Sequence, residues 1–131
     1  SKDTIYDNLS IEKSINNNLY VIKAKNNKVG ILKVGQNRMS VIAPTIYDNY
    51  QISNEHTLLT LNGKSCIVIN NNSQRISKEI TFPYGSTFED EYSDFAYMRK
   101  DKNTWFLYSN YIFNENGEIY RLPSNTYINI N

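Results

Sequence analysis

Apolar residues in this chain fall in short alternating runs separated by polar turns. Leu19-Tyr20-Val21-Ile22-Lys23-Ala24 is followed by Lys25-Asn26-Asn27-Lys28 and then by Val29-Gly30-Ile31-Leu32-Lys33-Val34. The pattern returns as Thr57-Leu58-Leu59-Thr60-Leu61, Asn62-Gly63-Lys64 and Cys66-Ile67-Val68-Ile69. It returns again as Phe95-Ala96-Tyr97-Met98-Arg99, Lys100-Asp101-Lys102-Asn103 and Trp105-Phe106-Leu107-Tyr108. Runs of this length, rich in β-branched and aromatic residues and bounded by Asn and Gly, predict strands. Asn-Asn and Asn-Gly accept positive φ, so they predict hairpin turns. Asn116-Gly117 is a further hairpin signal, between Tyr111-Ile112-Phe113 and Glu118-Ile119-Tyr120. Helix signals are sparse. Residues 9–15 could form a short helical turn with Ile11 and Ile15 on one side, and residues 88–94 could form a turn or short helix.

The runs repeat with a period near forty. The chain's three prolines, Pro44, Pro83 and Pro123, each close a similar phrase: Val41-Ile42-Ala43, Ile80-Thr81-Phe82 and Tyr120-Arg121-Leu122. Ile5-Tyr6-Asp7-Asn8 recurs as Ile46-Tyr47-Asp48-Asn49. Such a period marks a repeated supersecondary unit. Units at 5–44, 46–83 and 84–123 are expected, with the alternating Tyr127-Ile128-Asn129-Ile130 as a last strand. A proline cannot donate to a β-ladder, so each belongs at a strand edge or end. The expected fold is all-β: one domain of three antiparallel β-meander repeats, each of three or four strands, forming a curved sheet, half-barrel or sandwich.

Asn26-Asn27-Lys28-Val29-Gly30-Ile31-Leu32, followed by Val41-Ile42-Ala43-Pro44-Thr45-Ile46-Tyr47-Asp48, resembles the bacterial WG-repeat family. Asn62-Gly63-Lys64-Ser65-Cys66-Ile67-Val68-Ile69 is similar to a second, degenerate copy, and Lys102-Asn103-Thr104-Trp105-Phe106-Leu107 to a more distant third. Cys66 and Trp105 stand where the first copy has Gly30. The resemblance implies a β-hairpin repeat serving interaction roles, with no shared catalytic residues.

Bulk properties narrow the function. The chain has 131 residues and a net charge of +1, which favours neither nucleic acid nor an anionic membrane. Its 20 Asn, 16 Ile and 11 Tyr suit strands joined by Asn-rich turns, or an AT-rich genome. Cys66 is the only cysteine, so no intrachain disulfide forms; this mildly favours a reducing compartment and a bacterial cytoplasmic setting. Its apolar neighbours predict a buried, inert thiol. No apolar run approaches the roughly 18 residues of a membrane span. The opening residues do not read as a signal peptide, although an exported protein could have lost one.

No catalytic set is legible. His56 is the only histidine, in Asn54-Glu55-His56-Thr57, and is expected at the surface or at a strand start. One histidine beside one carboxylate gives no metal-ligand spacing. Cys66 and the serines have no other histidine to act as base, and a phosphate-binding glycine loop is absent. Neither an enzyme nor a cofactor is expected.

Binding chemistry is concentrated in the third unit. Phe88-Glu89-Asp90-Glu91-Tyr92-Ser93-Asp94 places four carboxylates and two aromatics within seven residues. Such a segment can meet a basic protein surface, can gather oxygen ligands for Ca²⁺ without the EF-hand pattern, or can be a solvated loop. Trp105 is the only tryptophan. In a strand it shares a face with Leu107, while Phe106 and Tyr108 share the other, so one face could be a contact surface or both could be buried. The charge is uneven: residues 5–44 carry six basic against two acidic side chains, and residues 84–123 four basic against seven acidic. The basic hairpin at 23–33, with Tyr20 nearby, is either a solvated hairpin or a stacking platform for nucleic acid.

The expected function is therefore a non-enzymatic protein-binding protein. Its partner-binding candidates are Phe88, Glu89, Asp90, Glu91, Tyr92, Asp94 and Trp105. The most concrete version is a small bacterial immunity protein that covers the basic active site of a toxin such as a nuclease. The alternatives are an exported module that binds carbohydrate or another surface ligand, and a piece of a longer repeat array. A strand edge of either terminal unit could also pair with a second copy.

Overall fold

A computed structural model describes residues 8–85 and 95–123. These form twelve strands and no helix: β1 (Leu9–Ser14), β2 (Leu19–Ala24), β3 (Val29–Gly35), β4 (Arg38–Tyr47), β5 (Asn49–Ile52), β6 (His56–Leu61), β7 (Ser65–Asn70), β8 (Ile80–Thr81), β9 (Ala96–Lys100), β10 (Asn103–Tyr108), β11 (Tyr111–Asn114) and β12 (Ile119–Arg121). They make three four-stranded antiparallel meanders in chain order, β1–β4 (sheet A), β5–β8 (sheet B) and β9–β12 (sheet C). The all-β, three-repeat expectation is met. The tail at 124–131, and all but Asn8 of the first Ile-Tyr-Asp-Asn phrase, lie outside the described residues.

The sheets pack face to face, with B in the middle. Its two central strands are buried at five of six positions each. Leu59, Ile67 and Ile69 face sheet A, where they meet Leu19, Val21, Val29, Ile31, Ala43 and Tyr47. Leu58, Cys66, Val68, Ile80 and Phe82 face sheet C, where they meet Phe106, Tyr111 and Phe113. Adjacent side chains on a strand point to opposite faces, so a strand buried on both sides reads as a continuous apolar run. The A–B junction is mostly aliphatic, whereas the B–C junction is rich in rings, with Phe82 of sheet B stacked against Tyr111 of sheet C at 5.0 Å and Phe95 against Phe106 within the sheet C side at 5.6 Å. The Tyr111 hydroxyl, at the floor of that stack, accepts from the Tyr84 N–H at 3.1 Å and donates to the Gly85 carbonyl at 2.8 Å.

The asparagines have a structural task. Asn16, Asn26, Asn70 and Asn114 each accept one or more backbone N–H groups two to four residues on, closing turns with a side chain. Asn27, Asn37, Asn62 and Asn110 adopt positive φ in hairpin loops. Asn71 joins sheets: its amide donates to the Ser53 carbonyl, its side-chain oxygen accepts from the Thr57 hydroxyl, and its carbonyl accepts from Asn16. Asp48, from the repeated phrase, accepts from the Lys28 ammonium of sheet A and the Asn62 N–H of sheet B, which together hold its carboxyl below its ordinary range.

Two local expectations change. Residues 9–14 are strand β1, not a helical turn. Pairing with β2 overrides the weak i, i+4 signal and places Ile11 opposite Ile22, just before a register break between Ile11 and Lys13. In the third repeat the hairpin phrase is displaced by one strand. Asn26-Asn27 and Asn62-Gly63 turn between the second and third strands of their sheets, whereas Asp101 and Lys102, both at positive φ, turn between the first and second strands of sheet C.

Gly30 is required by contact rather than by φ. β4 breaks register twice as it passes β3, and a Cβ on Gly30 would stand 2.4 Å from the Ala43 carbonyl oxygen and 2.7 Å from that of Pro44. Both obstacles are backbone, so little can yield. Gly30→Ala is expected to cost about 2–3 kcal/mol, read as a lower urea midpoint at unchanged m-value. A loss below ~0.5 kcal/mol would mean that β4 moves aside freely.

Candidate functional site

Of the expected partner-binding residues, Phe88, Glu89, Asp90, Glu91, Tyr92 and Asp94 lie outside the described residues, and Trp105 lies within them. Trp105 is in β10, opposite Met98 of β9 and Asn114 of β11. Its neighbours in the strand are split by the pleat. Phe106 points into the B–C junction and is fully buried. Trp105 and Leu107 point the other way, onto the outer face of sheet C.

That outer face is apolar. Cross-strand register aligns Met98 with Trp105, Leu107 with Ile112, and Ile112 with Tyr120. None of these joins the buried clusters. The Trp105 and Tyr120 rings lie 6.1 Å apart and 37° from parallel, and Tyr120 is 57% exposed. A groove of about 400 Å³ runs over them, with Met98 and Ile112 in its floor and Lys100, Asp101 and Asn103 at its rim. A half-buried tryptophan in an apolar floor with a polar rim has the anatomy of a protein-binding hot spot. Met98, Ile112 and Tyr120 were not singled out by sequence. Each is an ordinary apolar residue in its own strand, and only the register of four strands assembles them around Trp105.

The opposite end of the stack differs, because its two central apolar residues, Ile22 and Leu32, are buried, at 1% and 5% exposure. The outer face of sheet A holds Ile22 and Leu32, with Ile11 opposite the former and Val41 opposite the latter. Ile11 is 57% exposed and Val41 42%.

His56 opens β6 but is not a surface residue. It is buried because sheet C covers it, with its ring edge-on to Tyr97 at 4.8 Å and Phe106 at 4.9 Å. Its Nδ1 has no hydrogen-bond partner in the structure. Burial lowers its pKa from the ordinary 6.5, opposed by the charges of Glu55 and Glu115 and assisted by Arg99. Cys66 is buried, and desolvation raises its pKa far out of the nucleophilic range. In the basic hairpin, Lys23 pairs with Glu12 at 3.3 Å and Lys28 with Asp48, so two of its cations have partners within the molecule. Among the described residues no group of three or more His, Cys, Asp and Glu side chains could hold a metal ion, and no helix is long and apolar enough to cross a membrane.

No protein-family model matches the chain, and no match is found among curated proteins.

His56 generates a pH dependence. A base whose folded pKa is depressed binds fewer protons folded than unfolded, so stability falls as pH drops below the unfolded value of 6.5 toward the lower folded value. Urea unfolding across this range should show the loss, and His56→Phe should flatten it. An unchanged slope in the variant would assign the titration to another group.

Proposed function

We propose that this protein is a non-enzymatic protein-binding module whose docking surface is the outer face of sheet C, anchored by Trp105. The observation that carries this reading is the groove itself: an apolar floor of Met98, Trp105, Ile112 and Tyr120 at the open end of a sheet stack, rimmed by Lys100, Asp101 and Asn103. A contiguous, partly exposed apolar surface of this kind is what interaction sites in soluble domains present.

The most concrete form is a small bacterial immunity protein working in the cytoplasm. Its acidic segment at 88–94 would meet the basic active site of a toxin, such as a nuclease, while Trp105 supplies a desolvated anchor. Opposite charge speeds encounter, and the anchor slows dissociation. The hairpin-repeat scaffold, with its resemblance to WG repeats, is suited to presenting such a surface rigidly. Carbohydrate is the second reading, because Trp105 and Tyr120 lie side by side. Their 37° tilt and the flanking Met98 and Ile112 offer less to a flat sugar ring than to an apolar side chain.

Affinity capture with the intact chain, read by mass spectrometry and followed by titration of the stoichiometric partner, tests the reading. Trp105→Ala is expected to weaken binding by about 2 kcal/mol or more, roughly 30-fold, without lowering the melting temperature by a comparable amount. Replacing Glu89, Asp90, Glu91 and Asp94 by Ser should slow association and remove most of its salt dependence. Equal affinity of the Trp105 variant for its partner would refute the docking surface. A glycan whose binding vanishes in the same variant would establish the second reading instead.

A further inference from the structure

The two junctions of the stack are held differently. Sheets A and B are tied by polar links as well as by aliphatic packing. Asp48 accepts from Lys28, the Tyr50 hydroxyl donates to Glu12 at 3.1 Å, and the Asn16 amide donates to the Asn71 carbonyl at 2.9 Å. Among the described residues, no ion pair crosses from sheet B to sheet C. Hydrogen bonds there run from Tyr111 to Tyr84 and Gly85, and, at 3.4 Å, from the Lys78 N–H to the Glu115 carbonyl. Into this second seam the chain places its only histidine. His56 is 3% exposed, its ring is edge-on to Tyr97 and Phe106 of sheet C, and its Nδ1 has no partner. The charged and titratable groups that face it are Glu55 from the loop before β6, Arg99 and the Tyr97 phenol from β9, and Glu115 from the β11–β12 turn. A neutral imidazole fits such a seam. An imidazolium brings a second N–H donor and a charge that burial leaves unsolvated. Arg99 repels that charge and the two carboxylates attract it, but burial is the larger effect.

We propose that protonation of His56 releases sheet C from sheet B, so that the B–C junction is an acid-sensitive seam that opens while sheets A and B stay together. The direction follows from linkage. Water reaches the imidazole only when the seam is open, so the open form binds the proton more tightly and acid favours it. Sheet C is the part that leaves, because the polar links between A and B do not involve His56. Opening uncovers an apolar surface that is hidden at neutral pH: Leu58, Val68 and Phe82 on B, and Phe106 and Phe113 on C. A sheet of four short strands without a covering layer is marginal in water, so β9–β12 lose protection once released. The seam lies on the opposite side of β10 from the Trp105 face, since Phe106 points into it, and it is independent of what that face binds.

Hydrogen exchange of the full chain, read by mass spectrometry at about pH 7.5 and about pH 5.5 and corrected for the intrinsic pH dependence of exchange, locates the opening. At the lower pH, β9–β12 of the wild type should lose about 3- to 10-fold more protection than β2 and β3. Ten is the limit for one group whose ordinary pKa of 6.5 lies one unit above the measurement. His56→Phe and His56→Leu should each keep the protection of β9–β12 equal at the two pH values, with far-UV circular dichroism checking that they are folded. The His56 ring, the only imidazole in the chain, gives a second reading by NMR in the wild type. Its titration midpoint should lie below 6.5, and the loss in sheet C should begin near 6.5 and level off at that midpoint. Equal loss in all three sheets would mean global unfolding and would overturn the proposal. So would a loss in β9–β12 that persists in a folded His56 variant, or no loss at all in the wild type. A ring midpoint at or above 6.5 overturns it whether or not either variant folds, because the closed seam would then not disfavour the proton.

Discussion

Burial of sheet B on both of its faces is the constraint on which the rest of the fold depends. β6 and β7 carry large apolar side chains at consecutive positions, Leu58 with Leu59 and Cys66 through Ile69. Consecutive positions point opposite ways, so a single covering layer would leave half of them in water. At roughly 25 cal/mol per Å² of apolar surface, that exposure outweighs any gain from strand pairing alone. Two further sheets are therefore needed, one to each side, and each must bring an apolar face of its own. The polar residues admitted to this middle layer are small or have partners nearby. Thr57 donates to Asn71, and Ser65 donates to Glu79. Thr60 and His56 are the exceptions, each with a buried polar atom that finds no partner. The rings of Tyr97 and Phe106 around His56 tie the B–C junction to the neutral state of the imidazole.

The same constraint explains where surface chemistry can lie. In a layered series the middle sheet has no free face, so recognition falls to turns, edges and whatever part of an outer face stays open. The turns are largely occupied with their own closure, since asparagine side chains hold them shut. The terminal edges are short, bulged or charged. What is left is the outer face of sheet C, where the alternation that places Phe106 in the core necessarily places Trp105 outside it. The exposed tryptophan follows from the pleat once Phe106 has been buried, and its neighbours follow from the register.

Most of the fold was legible along the chain, and less of the site. The strand runs, the hairpin turns and the near-forty period all depend on local chemistry, and they predicted three antiparallel repeats. β1 was harder to read because its evidence is pairing with β2 rather than its own pattern; Ile11 and Ile15 suit a helix as well as a strand. The third repeat was read one strand out of step, because the turn at Asp101 and Lys102 resembles those at Asn26 and Asn62 in composition but occupies a different place in its sheet. His56 was expected near a strand start and is there, but its neighbours Tyr97 and Phe106 are distant in sequence, so its burial could not be seen. Trp105 was recognised as a choice between two faces; the structure resolves that choice by turning Phe106 inward. The acidic segment at 88–94 stands on its composition.

By itself, then, the sequence determined the elements: which residues form strands, where the chain turns, that the unit repeats, and that charge differs between the terminal repeats. Those properties arise from interactions within a few residues, and the one-dimensional pattern records them. The tertiary structure alone decided which sheet lies in the middle, which face of each outer sheet is spent on the core, and which apolar residues assemble around Trp105. The first two depend on stacking between sheets whose strands are far apart in the chain, and the last on the register of neighbouring strands within sheet C. A strand with apolar side chains on both faces is compatible with either orientation until a neighbouring sheet covers one of them.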